Sequence, residues 1–311
     1  MRAVINRRTI LGGLGAGAVT LATSWPRRLS WAAEGAKQGQ LRFAFFTDVH
    51  ARTELGTPVA MAKAARTINA QKPDLVIAGG DLITDGFTSL PEQVAPRWDV
   101  YMKMHNAIGG DVHATIGNHD LVAANPADGS KPSADPRAEF RKRLKLDQTY
   151  YTFDAMGYRV FILDSINVIR GKLHYQGLID LPQMEWLREE LAKTPKDMPI
   201  VMVSHIPLLT AFYGATRGAL EGGKPNRVMV NSRGVLDLFR DHNLLLVLQG
   251  HLHAQEIIRW RKTTFITGGA VCAKWWRGSW YGTEEGFNVI TLKENHVDWE
   301  YVDYGWEAQR P

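Results

Sequence analysis

The chain has 311 residues, 45 % of them hydrophobic and 22 % charged, with 37 Lys and Arg against 32 Asp and Glu for a net charge of +5. These are ordinary globular proportions, and they exclude disordered, collagen-like and coiled-coil classes. The length fits one large domain or two smaller ones.

The excess charge sits at the start. Residues 1–32 hold Arg2, Arg7, Arg8, Arg27 and Arg28 and no acidic residue, so the rest of the chain carries 32 basic and 32 acidic residues. The basic balance is therefore no sign of a nucleic-acid-binding surface, and none is expected. Arg7-Arg8 precede an apolar run, Ile10 to Thr23, and Ser30-Trp31-Ala32 offers small residues for cleavage. That run is too short and glycine-rich to span a membrane, and no later run reaches the roughly 18 apolar residues a span needs. Asn6-Arg7-Arg8-Thr9-Ile10-Leu11 resembles a twin-arginine export signal. The alternatives are an ordinary Sec signal or a retained anchor, but Arg27 and Arg28 after the apolar run hinder Sec passage. The expected boundaries are a signal peptide at 1–32, a short segment at 33–40 and one folded domain at 41–311. The expected partner of the precursor is the twin-arginine machinery, and the destination periplasmic or secreted.

From residue 41 the pattern alternates. Leu41–Phe46 reads as a strand, Pro58–Ala70 as a helix, Leu75–Ala78 as a strand, Glu92–Ala107 as a helix and Val112–Ile116 as a strand. Short apolar runs between helical segments argue for βαβ units and parallel pairing. The polar stretch 125–136 reads as a loop and Arg137–Leu146 as a helix. Tyr150–Asp154 and Tyr158–Leu163 form a hairpin about Met156-Gly157. Leu181–Lys193 is an amphipathic helix, Ile200–Ser204 a strand, Gly234–Asp241 a helix and Leu244–Gln249 a strand. Strands follow at Glu256–Trp260, Thr263–Thr267, Gly286–Leu292 and His296–Val302. The lone cysteine, Cys272, permits no intrachain disulfide and reads as a buried small hydrophobe.

Five strand ends carry polar residues: Thr47-Asp48-Val49-His50, Gly79-Gly80-Asp81, Gly117-Asn118-His119-Asp120, Ser204-His205 and Gly250-His251-Leu252-His253. In an open parallel sheet such ends lie along one edge, where ligands bind. Asp48/His50 and His251/His253 are i, i+2 pairs, which face one side in extended chain. The gathered set is Asp48, His50, Asp81, Asn118, His205, His251 and His253. It is too large for one tetrahedral zinc site and suits two divalent or trivalent ions with mixed N and O ligands.

The same motifs, in the same order, resemble the signature of the calcineurin-like metallophosphoesterases over residues 41–302. The resemblance implies a four-layer α/β/β/α sandwich of two mixed sheets, with the metal site at the C-terminal strand ends. It implies that Asp48, His50 and His253 hold one ion, that Asn118, His205 and His251 hold the other, and that Asp81 bridges. His119 is similar to the family's catalytic histidine, with Asp120 orienting it. The nucleophile implied is a metal-bound hydroxide, and the ions are iron, manganese or zinc. Thr84 stands where purple acid phosphatases carry a tyrosine ligand. The pattern is nearer the bacterial class III cyclic-nucleotide and glycerophosphodiester phosphodiesterases.

The substrate expected is a small phosphate ester, diesters before monoesters. A phosphomonoesterase is the alternative within the class, and a catalytically silent binding protein the alternative outside it. Arg52 can pair with a phosphate oxygen or lie idle on the surface. Trp275, Trp276 and Arg277 can contact substrate or belong to a satellite apolar cluster. Asp85 and Asp111 read as loop solvation or capping, and His105, His113, His174, His242 and His296 as structural. Replacing Arg7-Arg8 by Lys-Lys is expected to trap uncleaved precursor in the cytoplasm; fractionation that still finds the protein exported would point to Sec.

Overall fold

In this computed structural model the described residues are 39–309, and the signal-peptide reading of 1–32 lies outside them. The chain enters through β1 (Gln40–Phe46), α1 (Thr57–Ala70), β2 (Leu75–Ala78), α2 (Pro91–Ala107), β3 (Val112–Ala114) and α3 (Ala138–Leu144). It continues through β4 (Tyr151–Ala155), β5 (Tyr158–Ile162), β6 (Ile166–Val168), β7 (Tyr175–Gly177), α4 (Leu181–Ala192), β8 (Pro199–Val203), α5 (Phe212–Arg217) and α6 (Ser232–Leu238). It ends in β9 (Asn243–Gln249), β10 (Glu256–Trp260), β11 (Thr263–Thr267), β12 (Gly286–Lys293) and β13 (His296–Asp303).

The strands form a five-stranded sheet, β13-β12-β1-β2-β3, a six-stranded sheet, β10-β11-β9-β8-β5-β4, and a small β6-β7 ribbon. The β1-β2-β3 and β5-β8-β9-β11 pairings are parallel, and the outer strands are antiparallel. Strand alternation builds the layers. Leu41, Phe43 and Phe45 of β1 face the second sheet and meet Val160, Ile162, Val201 and Val203. Ala44 and Phe46 point the other way, onto Ala60, Met61, Ala64 and Ile68 of α1 and Trp98 of α2. The far face of the second sheet, with Phe161, Ile200 and Met202, is covered by Met184, Leu187 and Leu191 of α4 and Val235 of α6. The result is the four-layer α/β/β/α sandwich.

One irregularity breaks the alternation. The β8–β9 register shifts between Ile200 and Val201, so β9 carries an extra residue. Both Leu245 and Leu246 then face the central layer, and Val247 turns outward.

Every strand read from the sequence is present, within a residue or two at its ends. The β6-β7 ribbon and α5 are not foreseen, because segments of three and six residues are too short for periodicity to register. Among the described residues no helix is long and apolar enough to cross a membrane. Phe43 is fully buried between the sheets, so Phe43→Ala is expected to cost about 3–5 kcal/mol in denaturant unfolding; a loss under about 1 kcal/mol would show that the central layer is not the main core.

Candidate metal centre

The parallel strands deliver their ends to one place. Past β1 and β2 the two chains run on side by side: Asp48 N–H donates to Gly80 O at 3.0 Å, His50 N–H to Asp81 O at 2.9 Å and Ala51 N–H to Leu82 O at 3.0 Å. The second sheet joins here too, because Val271 N–H, beyond β11, donates to Thr47 O at 3.0 Å. Side-chain aim comes from an unusual backbone. Asp48, His50, Asp81, His251 and His253 have φ of 51°, 44°, 52°, 71° and 60°. The i, i+2 pairs are therefore not extended, as the spacing suggested; left-handed residues turn them inward. Such conformers cost roughly 1–2 kcal/mol each and persist where surrounding structure fixes them.

The donor atoms converge. His50 Nε2 lies 3.1 Å from His253 Nε2 and 3.6 Å from Asp81 Oδ2, and His253 Nε2 lies 3.3 Å from Asp48 Oδ1. On the other side of Asp81, its Oδ2 is 3.2 Å from His205 Nε2, which is 3.2 Å from His251 Nδ1. Donors about 2.0–2.2 Å from a common ion stand about 3 Å apart. The outer ring nitrogens are already committed to backbone carbonyls. His205 Nδ1 contacts Gly79 O at 2.8 Å, His253 Nδ1 contacts Ala273 O at 2.6 Å and His251 Nε2 contacts Asn226 O at 3.0 Å. A carbonyl only accepts, so each of these nitrogens carries a proton, and in the neutral ring the inward nitrogen is the one free to bind a metal. Asp48 Oδ1 and Asn118 Oδ1 are buried and accept no hydrogen bond. Inward ring nitrogens at ligand spacing, with the orphaned Asp48 oxygen 3.3 Å from His253 Nε2, fit a pair of metal ions sharing Asp81.

Charge leads to the same conclusion. Asp48 and Asp81 are both buried, which alone would raise their pKa values, yet His253 and His205 respectively hold them low. Burial pulls His50 down to about 3. Burial also works against His205, but the Asp81 charge outweighs it and lifts His205 to about 9. Two carboxylates in one dry pocket require cations.

The remaining expected residues divide. His119 lies beside the cluster, with its ring 4.7 Å from that of His50. Its Nδ1 accepts the Asp85 N–H at 3.0 Å and stands 3.7 Å from Asp85 Oδ1. Burial lowers its pKa, against the pull of Asp81 and Asp85. Asp120 does not serve His119. Its oxygens accept the N–H groups of Leu82 at 2.7 Å, Ile83 at 3.2 Å and Gly117 at 2.8 Å, stapling the β2 and β3 ends together. Burial and the Asp81 charge push Asp120 up to about 8. Asp85, read from sequence as loop solvation, takes the place beside His119.

Arg52 already has protein partners, with Glu54 Oε1 3.3 Å from its Nε and Thr84 Oγ1 3.4 Å from its Nη2. Trp276 is fully buried, and its Nε1–H donates to His50 O at 3.1 Å, so it props a ligand segment and cannot touch substrate. Arg277 is exposed. Trp275 does reach the centre, with its ring 3.9 Å from His50. Cys272 is buried, its Sγ 3.8 Å from His253 Nδ1. Arg227 had no signal in the sequence; its charge bears on His251 and Tyr175. The carbonyls of Gly79, Asn226 and Ala273 had none either, because backbone partners leave no mark in residue identity.

Comparisons with known proteins agree with this geometry. Residues 41–255 match the family model of the calcineurin-like phosphoesterases. The chain belongs to that family. No curated protein matches it. Among solved structures it is similar to a dimetal phosphatase from Danio rerio, at 16 % identity and TM-score 0.60, covering 85 % of this chain and 99 % of that one. It is similar to the anchor protein of the inner membrane complex of Plasmodium, at 17 % identity and TM-score 0.51, covering 85 % of each chain. It is also similar to a purple acid phosphatase from yellow lupin, at 14 % identity and TM-score 0.53, covering 86 % of this chain and 52 % of that one. At these identities the likeness is one of fold.

Gly117 leaves no room for a side chain, since a Cβ there would meet the carboxylate and backbone N of Asp81. Gly117→Ala is expected to weaken metal binding about 10- to 100-fold, the scale for disturbing a ligand's support, with the circular dichroism spectrum kept; unchanged metal content by mass spectrometry would refute the packing argument.

Proposed function

We propose that this chain is a binuclear metal-dependent hydrolase of phosphate esters that prefers diesters, acting outside the cytoplasm after twin-arginine export. The observation that carries it is Asp81, shared by two histidine clusters in which His205, His251 and His253 each turn outward one nitrogen to a backbone carbonyl and the other inward. Bound there, two ions would supply Lewis acidity toward the phosphoryl oxygens and a nucleophile active at neutral pH. Asp48, His50 and His253 would hold one, Asn118, His205 and His251 the other, and Asp81 both.

The chain's own acid is His119. The Asp85 N–H occupies Nδ1, so the neutral ring carries its proton on Nε2. That proton can hydrogen-bond the leaving oxygen; to give it up the ring must first take a second proton, and the Asp81 and Asp85 carboxylates favour that charged form, so that loss of the Nε2 proton returns a neutral imidazole. Trp276 keeps the His50 backbone in place while this happens.

Two features support the diester preference. Arg52 is neutralised by Glu54, and a monoester dianion calls for more positive charge at the phosphate than a diester monoanion. Trp275 offers apolar surface for a second ester group. The monoesterase reading is favoured by Arg227, a positive residue next to Asn226, whose carbonyl lies 3.0 Å from His251 Nε2. A silent binding role leaves the complete donor set and His119 without purpose.

Aryl phosphodiester and aryl monophosphate, assayed with manganese, iron or zinc, decide among these. Turnover of neither would overturn the enzyme reading, and faster monoester turnover the diester preference. His119→Ala is expected to keep its metal and lose about 10²- to 10⁴-fold in kcat; an unchanged rate would mean that the proton comes from elsewhere.

A further inference from the structure

The loop between β11 and β12 holds an aromatic ring against the metal centre under backbone strain. Ala273, Trp275 and Trp276 have φ of 40°, 55° and 68°, three left-handed non-glycine residues within four positions. Unsupported, such a run would relax. It is tied down on both sides of the site. Cys272 N–H donates to Asp48 O at 3.4 Å, Ala273 O accepts from His253 Nδ1 at 2.6 Å, and Trp276 Nε1–H donates to His50 O at 3.1 Å. Each tether ends on a residue of the donor set.

The strained loop places one side chain, Trp275. Its ring centroid lies 3.9 Å from His50, 5.2 Å from His253 and 5.2 Å from His119. It thus spans the ligands of one ion and the proton donor, yet 36 % of it stays open to solvent. A tryptophan serving only as core filler would be closed, as Trp276 is. Its one polar atom is the indole N–H, and the ring carries no charge with which to hold a phosphate. What it offers is a flat, polarisable face beside the atom that receives the His119 proton.

We propose that Trp275 recognises the leaving group, and that the substrates are phosphate esters whose leaving group carries a flat unsaturated ring close to the ester oxygen, such as an aryl group. This rests on the phosphoesterase reading and narrows it. The ring would stack on Trp275 while the ester oxygen faces His119. Simple alkyl and glycerol leaving groups would gain nothing there.

Phenylphosphonate and methylphosphonate share a head group and differ only in the ring, and neither needs turnover. Their dissociation constants for the full, manganese-loaded protein are measured by calorimetry, and their ratio is taken within each variant, so a general weakening of the site cancels. The unaltered protein is expected to favour phenylphosphonate about 5- to 100-fold, the range of a single ring stack. Trp275→Leu is expected to bring the ratio below about 3, and Trp275→Phe, which keeps a ring, to hold it above that. Equal binding of the two by the unaltered protein, or a ratio that Trp275→Leu leaves in place, would overturn the assignment while leaving the phosphoesterase reading intact. Failure of both phosphonates to bind would sink that reading, and this assignment with it.

Discussion

Two carboxylates, Asp48 and Asp81, are sealed from water at the meeting point of two sheets. Buried anions in one pocket are tolerable only beside cations, and much of the local structure follows from that constraint. Histidines from four strand ends surround them, and backbone carbonyls orient His205, His251 and His253. The backbone adopts costly left-handed turns to aim them. The sandwich supplies the rigidity that such aiming needs, because parallel strands project their ends together and a dense layer of Phe, Val and Leu keeps the sheets in register.

Much of this was legible in the sequence, for a physical reason. Strands announce themselves by apolar runs, and polar residues at several strand ends have few structural uses. Asp48, His50, Asp81, Asn118, His205, His251 and His253 could therefore be gathered before any coordinates. What was not legible depended on reach. Asp120 and Asp85 are both carboxylates near His119 in space. Only the fold shows that the neighbour in sequence staples backbone N–H groups, and that the residue 34 positions away attends the ring. Trp275 and Trp276 are likewise adjacent and identical in type. One left-handed turn after another sends the first to the site and the second into the core. Composition cannot separate such pairs, since their difference lies wholly in dihedral angles. The i, i+2 spacing gave the right residues by an extended geometry that the chain does not adopt.

The division of labour between arginines shows the same limit. Arg52 follows a ligand motif directly and looks like a phosphate clamp, but Glu54 is closer to hand. Arg227, distant in sequence, reaches His251 electrostatically. Proximity along the chain is a weak guide to charge partners wherever a loop folds back on itself.

The tether between Thr47 and Val271 has a consequence for how the molecule comes into being. His50 and His253 are 203 positions apart, yet their nitrogens nearly touch. Contacts so distant in sequence close slowly, because the entropy of a long loop is lost before the contact repays it. A half-folded chain therefore has no such site to offer, and an ion held by both His50 and His253 would bind the folded chain alone and latch the ends of β1 and β9 together. The ions such a protein carries are consequently those of the compartment in which it folds, whatever compartment it later serves.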